Sequence, residues 1–423
     1  MLQNAVMAQD SKDKVADVLA HMPAFTAAAL KNDVVKINAL GEDGLVRLIS
    51  GLGAPGAANN AAIEYTIGAF TAAATQTGNE AMRKLAVSAY IKGLQKLTDR
   101  QAKQFIIAQF DLVGKDDAVA TLKTYLTDND LADAASRALV KINSPASKAA
   151  LLSALPQASG AAKLSVIEAL GNSRYKAAAK AINALAVTND AALAKVSYYA
   201  LAYIADPSSE KVLAAAAAKS GYKYENTEAA KYYLIYAGQL AINGNKLLAQ
   251  KIANSLLVKA KADDLVNVRI SALKILVNST PANQQLLLTA AGDANPQYRA
   301  AALRFALPYI TPVTTKARIN KLNTVNDDAK ADILFMLGQT KAKTALPAII
   351  ALAKNKNDKV KLAAINAAVN IGQEQVLGSL IKLMDNGTSD DKDMIAEVIG
   401  HMKGATVTQQ LADAIPTVKP TTR

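Results

Sequence analysis

The chain has 423 residues, no cysteine, no tryptophan, two histidines and a formal charge of +13. Without cysteine there are no disulfides, thiolate metal sites or cysteine nucleophiles, and His21 and His401 alone exclude a histidine-built metal cluster within one chain. Eighty-seven alanines and an aromatic content of 5% argue against a large sandwich or barrel and point to an all-α chain.

Residues 1–33 read as an N-terminal segment, either a signal remnant or an ordinary frayed start, followed by a first helix. Val6-Met7-Ala8 before Gln9-Asp10 has the small-residue end of a secretory signal, with cleavage after Ala8, although the apolar stretch that should precede it is absent. Together with the missing cysteines, this gives a periplasmic or secreted location as the expectation and a cytoplasmic one as the alternative. Residues 34–98 read as capping helices of looser register, one containing Ile63 to Phe70 and another running from Met82 to Leu97. Residues 99–404 carry a repeat, and residues 405–423 read as a helix end and a linker-like tail. No apolar run approaches the ~18 residues of a membrane span.

The repeat is a polar turn followed by a helix with an Ala-Leu-like pair. The first residue of that pair falls at Gln109, Ala138, Ala169, Ala200, Ala237, Ile275, Ala306, Met336, Ala367 and Val398. The intervals are 29 to 31 residues, apart from two adjacent ones of 37 and 38 that mark enlarged central repeats. Residues 341–372 show the unit best. Leu346, Ile349, Ile350 and Ala353 form one apolar face, Pro347 suits only a helix start, and Asn357-Asp358 caps a second helix. Similar caps are expected at Asn129-Asp130, Asn189-Asp190, Asn326-Asp327 and Ser389-Asp390. Such a two-helix unit cannot bury its apolar face alone and must stack on its neighbours. The expected fold is an all-α, right-handed α-solenoid with a period of about 31 residues.

These residues resemble the short bacterial class of HEAT-like repeats, also seen in phycobilisome-lyase-type proteins. The family pattern has Pro-Ala-Leu in the first helix and Asp-x-x-Val-Arg-x-x-Ala-Ala-x-Ala-Leu-Gly-x-Ile-Gly in the second. Residues 341–372 match it with Lys361 in place of Arg, and Met336-Leu337-Gly338 and Ala169-Leu170-Gly171 keep its core. The chain is also similar to the HEAT-like N-terminal region of secreted Bacteroidetes and planctomycete proteins that carry a 3-keto-disaccharide hydrolase-type domain. That resemblance implies an accessory region of a carbohydrate-active enzyme whose catalytic domain is absent from this chain.

Motifs that look chemical have plainer readings. Gly51-Leu52-Gly53-Ala54-Pro55-Gly56 matches a dinucleotide fingerprint, but the segment before it reads as helix, so an inter-helix loop is expected. Asp128, Asp130 and Asp133 open like a calcium loop and lack its glycine and terminal glutamate. No catalytic, cofactor-binding or metal residue is assigned, no cofactor is expected, and the chain is not read as an enzyme.

One arrangement points to binding. Eight of the fourteen tyrosines fall between Tyr198 and Tyr236. When the Ala-Leu-like pair takes positions 6 and 7 of each second helix, positions 0, 3, 4, 7 and 11 form the packed face, and 1, 5 and 9 lie opposite. Tyr199, Tyr203, Tyr232 and Tyr236 take that opposite face, as do Phe305, Tyr309 and Phe335 further along, among Asn278, Asn366 and Asn370. In HEAT-like solenoids the second helix lines the concave surface. The resemblance therefore implies an aromatic and amide-lined inner stripe for a protein, peptide or glycan. Core packing against the enlarged repeats is the competing reading of the same rings.

The basic excess does not form one stripe. Its densest run, Lys354, Lys356, Lys359 and Lys361, reads as a solvated face. This argues against nucleic acid as the partner, leaving DNA-backbone binding as a third reading that steep salt dependence would reveal.

Overall fold

The computed structural model describes residues 13–280, 283–404 and 406–422. The expected signal remnant around Ala8 lies outside the described residues. Among the described residues the chain is helices and turns, with no strand. It divides into two compact units, residues 1–239 and 240–423.

In the first unit, alternate helices form two rows. Ala27–Ala39, Asn60–Ala74, Arg100–Val113, Ala132–Ile142, Gly160–Asn172 and Ala191–Ile204 each pack on the next. Gly41–Ser50, Glu80–Leu94, Asp116–Lys123 and Pro145–Ala154 do the same in the other row. The stack thus reaches back to residue 27, and the segment expected as capping helices follows the same alternation. Its largely aliphatic core holds a few aromatic rings. Tyr90 meets Phe110 edge-on at 6.0 Å, and its buried hydroxyl pairs with Thr71 Oγ1 at 2.7 Å.

The second unit repeats the scheme. Val266–Ser279, Pro296–Ala306, Asp327–Gln339, Asp358–Gly372 and Ser389–Gly400 form one row. Their partners include Pro312–Lys321, Leu346–Leu352 and Leu377–Asn386. This is an α-solenoid of two-helix repeats, the class that the periodicity predicts.

Small residues set the closeness of the second-helix row. A β-carbon on Gly171 would stand 2.7 Å from the Ala200 Cα, and one on Gly338 would stand 2.9 Å from the Ala367 Cα. In these two repeats the glycine after the pair receives the alanine of the following repeat. Charge crosses other junctions of the row, from the first turns of the second helices. Arg299, buried, pairs with Asp332 at 2.9 Å, and Arg269 pairs with Asp293 at 2.5 Å. Lys361, which stands where the family pattern has arginine, pairs with Asp391 of the next repeat and with Asp358. The solvated reading of the lysine run thus fails at Lys361, which is half-buried.

Polar turns start the helices largely as their residue types require. Asp190, Asn326 and Asn357 accept backbone N–H bonds from the first turns of their helices. At Ser389-Asp390 the cap is Thr388, in a capping box with Asp391. Asn129 does not cap its own helix. Its side-chain oxygen accepts from the Ala162 N–H, in the next second helix, at 3.0 Å. Asp128 and Asp130, the lookalike of a calcium loop, both bind Arg100. The Gly51–Gly56 stretch follows a helix and is closed by Asn60, which bonds Gly53 and Ala54.

Residues 406–422, expected as a helix end and linker-like tail, form the helix Val407–Ala414 and two short turns held to the last repeats. Glu374 accepts from the Thr406 N–H and hydroxyl, and Asp385 accepts from the Lys419 N–H at 2.7 Å. Val418 packs on the apolar core of the unit.

Candidate binding faces

In the first unit, the helix Ala191–Ile204 keeps its expected register. Ala194, Ser197, Tyr198, Leu201 and Ala205 are buried, while Tyr199 and Tyr203 are partly exposed on the other side. Their rings lie 4.7 Å apart, tilted by 50°. The Tyr199 hydroxyl donates to the side-chain oxygen of Asn172, on the preceding second helix. Tyr232 presents its ring edge-on to Tyr199 at 5.9 Å. Only 7% of Tyr232 is exposed. Burial, and then the Glu228 carboxylate at its hydroxyl, push its pKa up to about 12.

Tyr236 does not join this group, and the expected four-ring patch is corrected to Tyr199, Tyr203 and the edge of Tyr232. Tyr236 is 0% exposed, stacks on Tyr233 at 6.5 Å and donates to the Asp206 carbonyl oxygen at 2.9 Å. The cause is register. In the helix Ala229–Ile242 the buried residues are Ala229, Ala230, Tyr232, Tyr233, Tyr236, Ala237 and Leu240, and 229, 232, 233, 236 and 240 set the register. This is the packed pattern with Ile235-Tyr236 as the pair, not Ala237-Gly238. A slip of two residues turns the helix by about 200° and exchanges its faces. Gly238 in the place where most other repeats carry leucine is the sign of it.

The second unit shows a smaller slip. In Pro296–Ala306 the buried residues are Tyr298, Arg299, Ala301, Ala302, Leu303 and Ala306, and 299, 302, 303 and 306 fit the packed pattern with Phe305-Ala306 as the pair. The helix ends at Ala306 because Pro308 follows, so Leu307 opens a turn instead of filling position 7. Phe305 and Tyr309, expected on the open face, are half-buried against the core. Arg304 holds the open position instead, with its guanidinium 5.5 Å from the Phe305 ring.

Phe335 falls where the sequence places it and is 66% exposed. Beside it is a hollow of about 200 Å³ lined by Leu303, Arg304, Leu307 and Met336. Leu307 is itself 43% exposed. Asn278, Asn366 and Asn370 are exposed at the corresponding positions of their helices. Sequence reasoning missed Leu303, Arg304 and Leu307, although Leu303 and Leu307 are spaced i, i+4 toward the neighbouring aromatic position.

No group of three or more metal-ligating side chains occurs among the described residues. His21 and His401 each place Nδ1 against the carbonyl four residues before, at 2.7 and 2.8 Å, near the ends of their helices. No helix among the described residues is long and apolar enough to cross a membrane.

Residues 315–400 match the HEAT repeat family model. With the two rows of helices and their tight junctions, this defines the fold as that of a HEAT-repeat α-solenoid. Among solved structures, the chain is similar to Kap121p bound to RanGTP, at 13% identity and a TM-score of 0.53, with 98% of this chain and 50% of that one covered. Kap121p bound to Nup53p gives 12% identity and a TM-score of 0.50, covering 95% of this chain and 48% of that one. The chain therefore spans about half the length of these karyopherins. No curated protein matches the sequence.

Proposed function

We propose that this chain is a non-catalytic binding scaffold that takes an extended peptide segment of a protein partner on the open face of its second helices. The observation that carries this is Phe335. A ring two-thirds exposed is costly to leave in water, and here it stands over an apolar hollow with Arg304 at its side. The hollow suits an apolar side chain of the segment. The exposed amides of Asn366 and Asn370, on the next second helix, suit its backbone. The karyopherin structures of the same fold hold protein partners, RanGTP in one and Nup53p in another, which supports a protein over a small molecule.

A glycan is the second reading, favoured by the paired, partly exposed rings of Tyr199 and Tyr203 beside the amide of Asn172. The narrower likenesses, to bacterial phycobilisome-lyase-type repeats and to accessory regions of 3-keto-disaccharide hydrolases, and the exported location, are proposals of the same kind. They are carried by the repeat motifs of 326–372 and by the cysteine-free composition.

Selection of a displayed peptide library on the whole chain tests the reading. Enriched peptides are expected to lose at least tenfold in affinity on Phe335→Ala, with the melting temperature nearly unchanged because the ring is outside the core. Peptides that bind the variant as well as the parent would reject this face. Enrichment of glycans on an array, lost on Tyr203→Ala, would favour the second reading.

A further inference from the structure

A different edge of the second unit holds a larger cavity. It has a volume of about 770 Å³ and lies between the helices Leu346–Leu352 and Leu377–Asn386, where the turn 353–357 leads into the next helix. Lys354 and Lys356 stand on that turn, and Lys382 faces the hollow from the Leu377–Asn386 helix. Among the described residues none of the three has a carboxylate partner. Their neighbours in the run differ. Lys359 pairs with Asp328, and Lys361 is held by Asp391 and Asp358. The one acid of the lining, Asp391, is thus already neutralised, and the rim keeps three uncompensated positive charges.

The turn that carries two of them is fixed. The Asn355 side chain accepts from the Asn357 N–H at 2.9 Å, and Asn357 in turn caps the helix Asp358–Gly372. Below the rim the wall is apolar, formed by Ile350, Leu383 and the buried Ile395. In the first unit the equivalent place, between Ala179–Leu185 and Glu210–Lys219, is a hollow of about 550 Å³ with Val187, Val212 and alanines and only two lysines, Lys211 and Lys219. The space between successive first helices therefore recurs, and the concentration of charge over it does not.

We infer that this cavity binds an acidic peptide segment in which a carboxylate side chain is followed closely by an aliphatic one. The carboxylate is met by the three lysines, and the aliphatic group rests on Ile350 and Leu383. The observations favour a peptide over nucleic acid. Duplex phosphates are spaced along a line, at about one charge per 1.7 Å of axis, whereas these lysines converge on a hollow. No aromatic side chain lines it to stack a base. The inference concerns a different edge of the repeats from the Phe335 face and stands without it.

The test uses the full chain and a fluorescein-labelled peptide of alternating glutamate and leucine, read by anisotropy, with a glutamine-for-glutamate peptide as its control. Saturable binding of the acidic peptide alone is expected. Lys354→Glu with Lys382→Glu should weaken it at least tenfold, while Lys211→Glu with Lys219→Glu, which makes the same charge change in the first unit, should alter it less than twofold. All four lysines are exposed, so both variants are expected to fold, which circular dichroism checks. Equal losses in the two variants would show charge without a site and overturn the inference. So would binding of the glutamine peptide, or tighter binding of a duplex DNA that the first variant alone abolishes, or no saturable binding at all.

Discussion

Removing the ring of Tyr236 opens a cavity in the core of the first unit and takes one of the two donors from the Asp206 carbonyl, which keeps only the Ser209 N–H. Removing the ring of Tyr203 takes away only a partly exposed surface. Tyr236→Ala is therefore expected to cost about 3–5 kcal/mol and Tyr203→Ala less than about 1 kcal/mol, measured by urea unfolding. Equal costs would contradict the two-residue register of the Ala229–Ile242 helix. The residue scale also shows what the sequence could disclose. Tyr199, Tyr203 and Phe335 were legible because their helices keep the pair in register, fixed at a glycine-alanine contact: Ala200 on Gly171 in the first case, Gly338 under Ala367 in the second. Tyr236, Phe305 and Tyr309 were not, because in those two helices a tyrosine or a proline-induced end changes which residues play the pair. Periodicity gives the spacing of a face, whereas packing chooses its direction.

At the scale of the element, the last segment is held by carboxylates. The hydroxyl and N–H of Thr406 keep the Glu374 carboxyl below its ordinary value of 4.5, and the Lys419 N–H does the same for Asp385 below 3.8. A carboxyl whose folded pKa is depressed contributes attachment above its unfolded pKa and loses it as pH falls through the folded one. The segment 406–422 is therefore expected to stay docked at neutral pH and to detach only below the ordinary carboxylate range. The amide resonances of Thr406 and Lys419 should move together with midpoints below 4.5 and 3.8, and Glu374→Gln should remove the titration of Thr406. A midpoint at or above those values would refute the docking. The composition of Ile415 to Arg423 suggested a linker. Lys419 and its acceptor Asp385 lie 34 residues apart in the chain, and a local reading of the tail cannot see that pairing.

The whole molecule is built from contacts between neighbours, so damage should stay near its origin. Gly338→Val places side-chain atoms where the Ala367 backbone already stands. Amide exchange is expected to quicken across 320–400 and to remain unchanged across 60–200, in the other compact unit. Uniform loss of protection along the chain would instead show one cooperative body. The alternation of helices, the period and the solenoid class were all legible in the sequence, since each follows from apolar spacing and small residues repeated many times. The division into two units was not, because nothing in a local pattern records where neighbouring contacts thin out.

The crowding of tyrosines in the enlarged repeats has an optical consequence. With no tryptophan in the chain, its near-ultraviolet absorption and emission come from fourteen tyrosines, eight of them between Tyr198 and Tyr236. Four of those eight, Tyr198, Tyr232, Tyr233 and Tyr236, are buried, and burial raises the pKa of each hydroxyl. The intrinsic spectrum is therefore dominated by a short central stretch. The molecule carries its own chromophore label there, and the repeats beyond residue 310 are nearly dark.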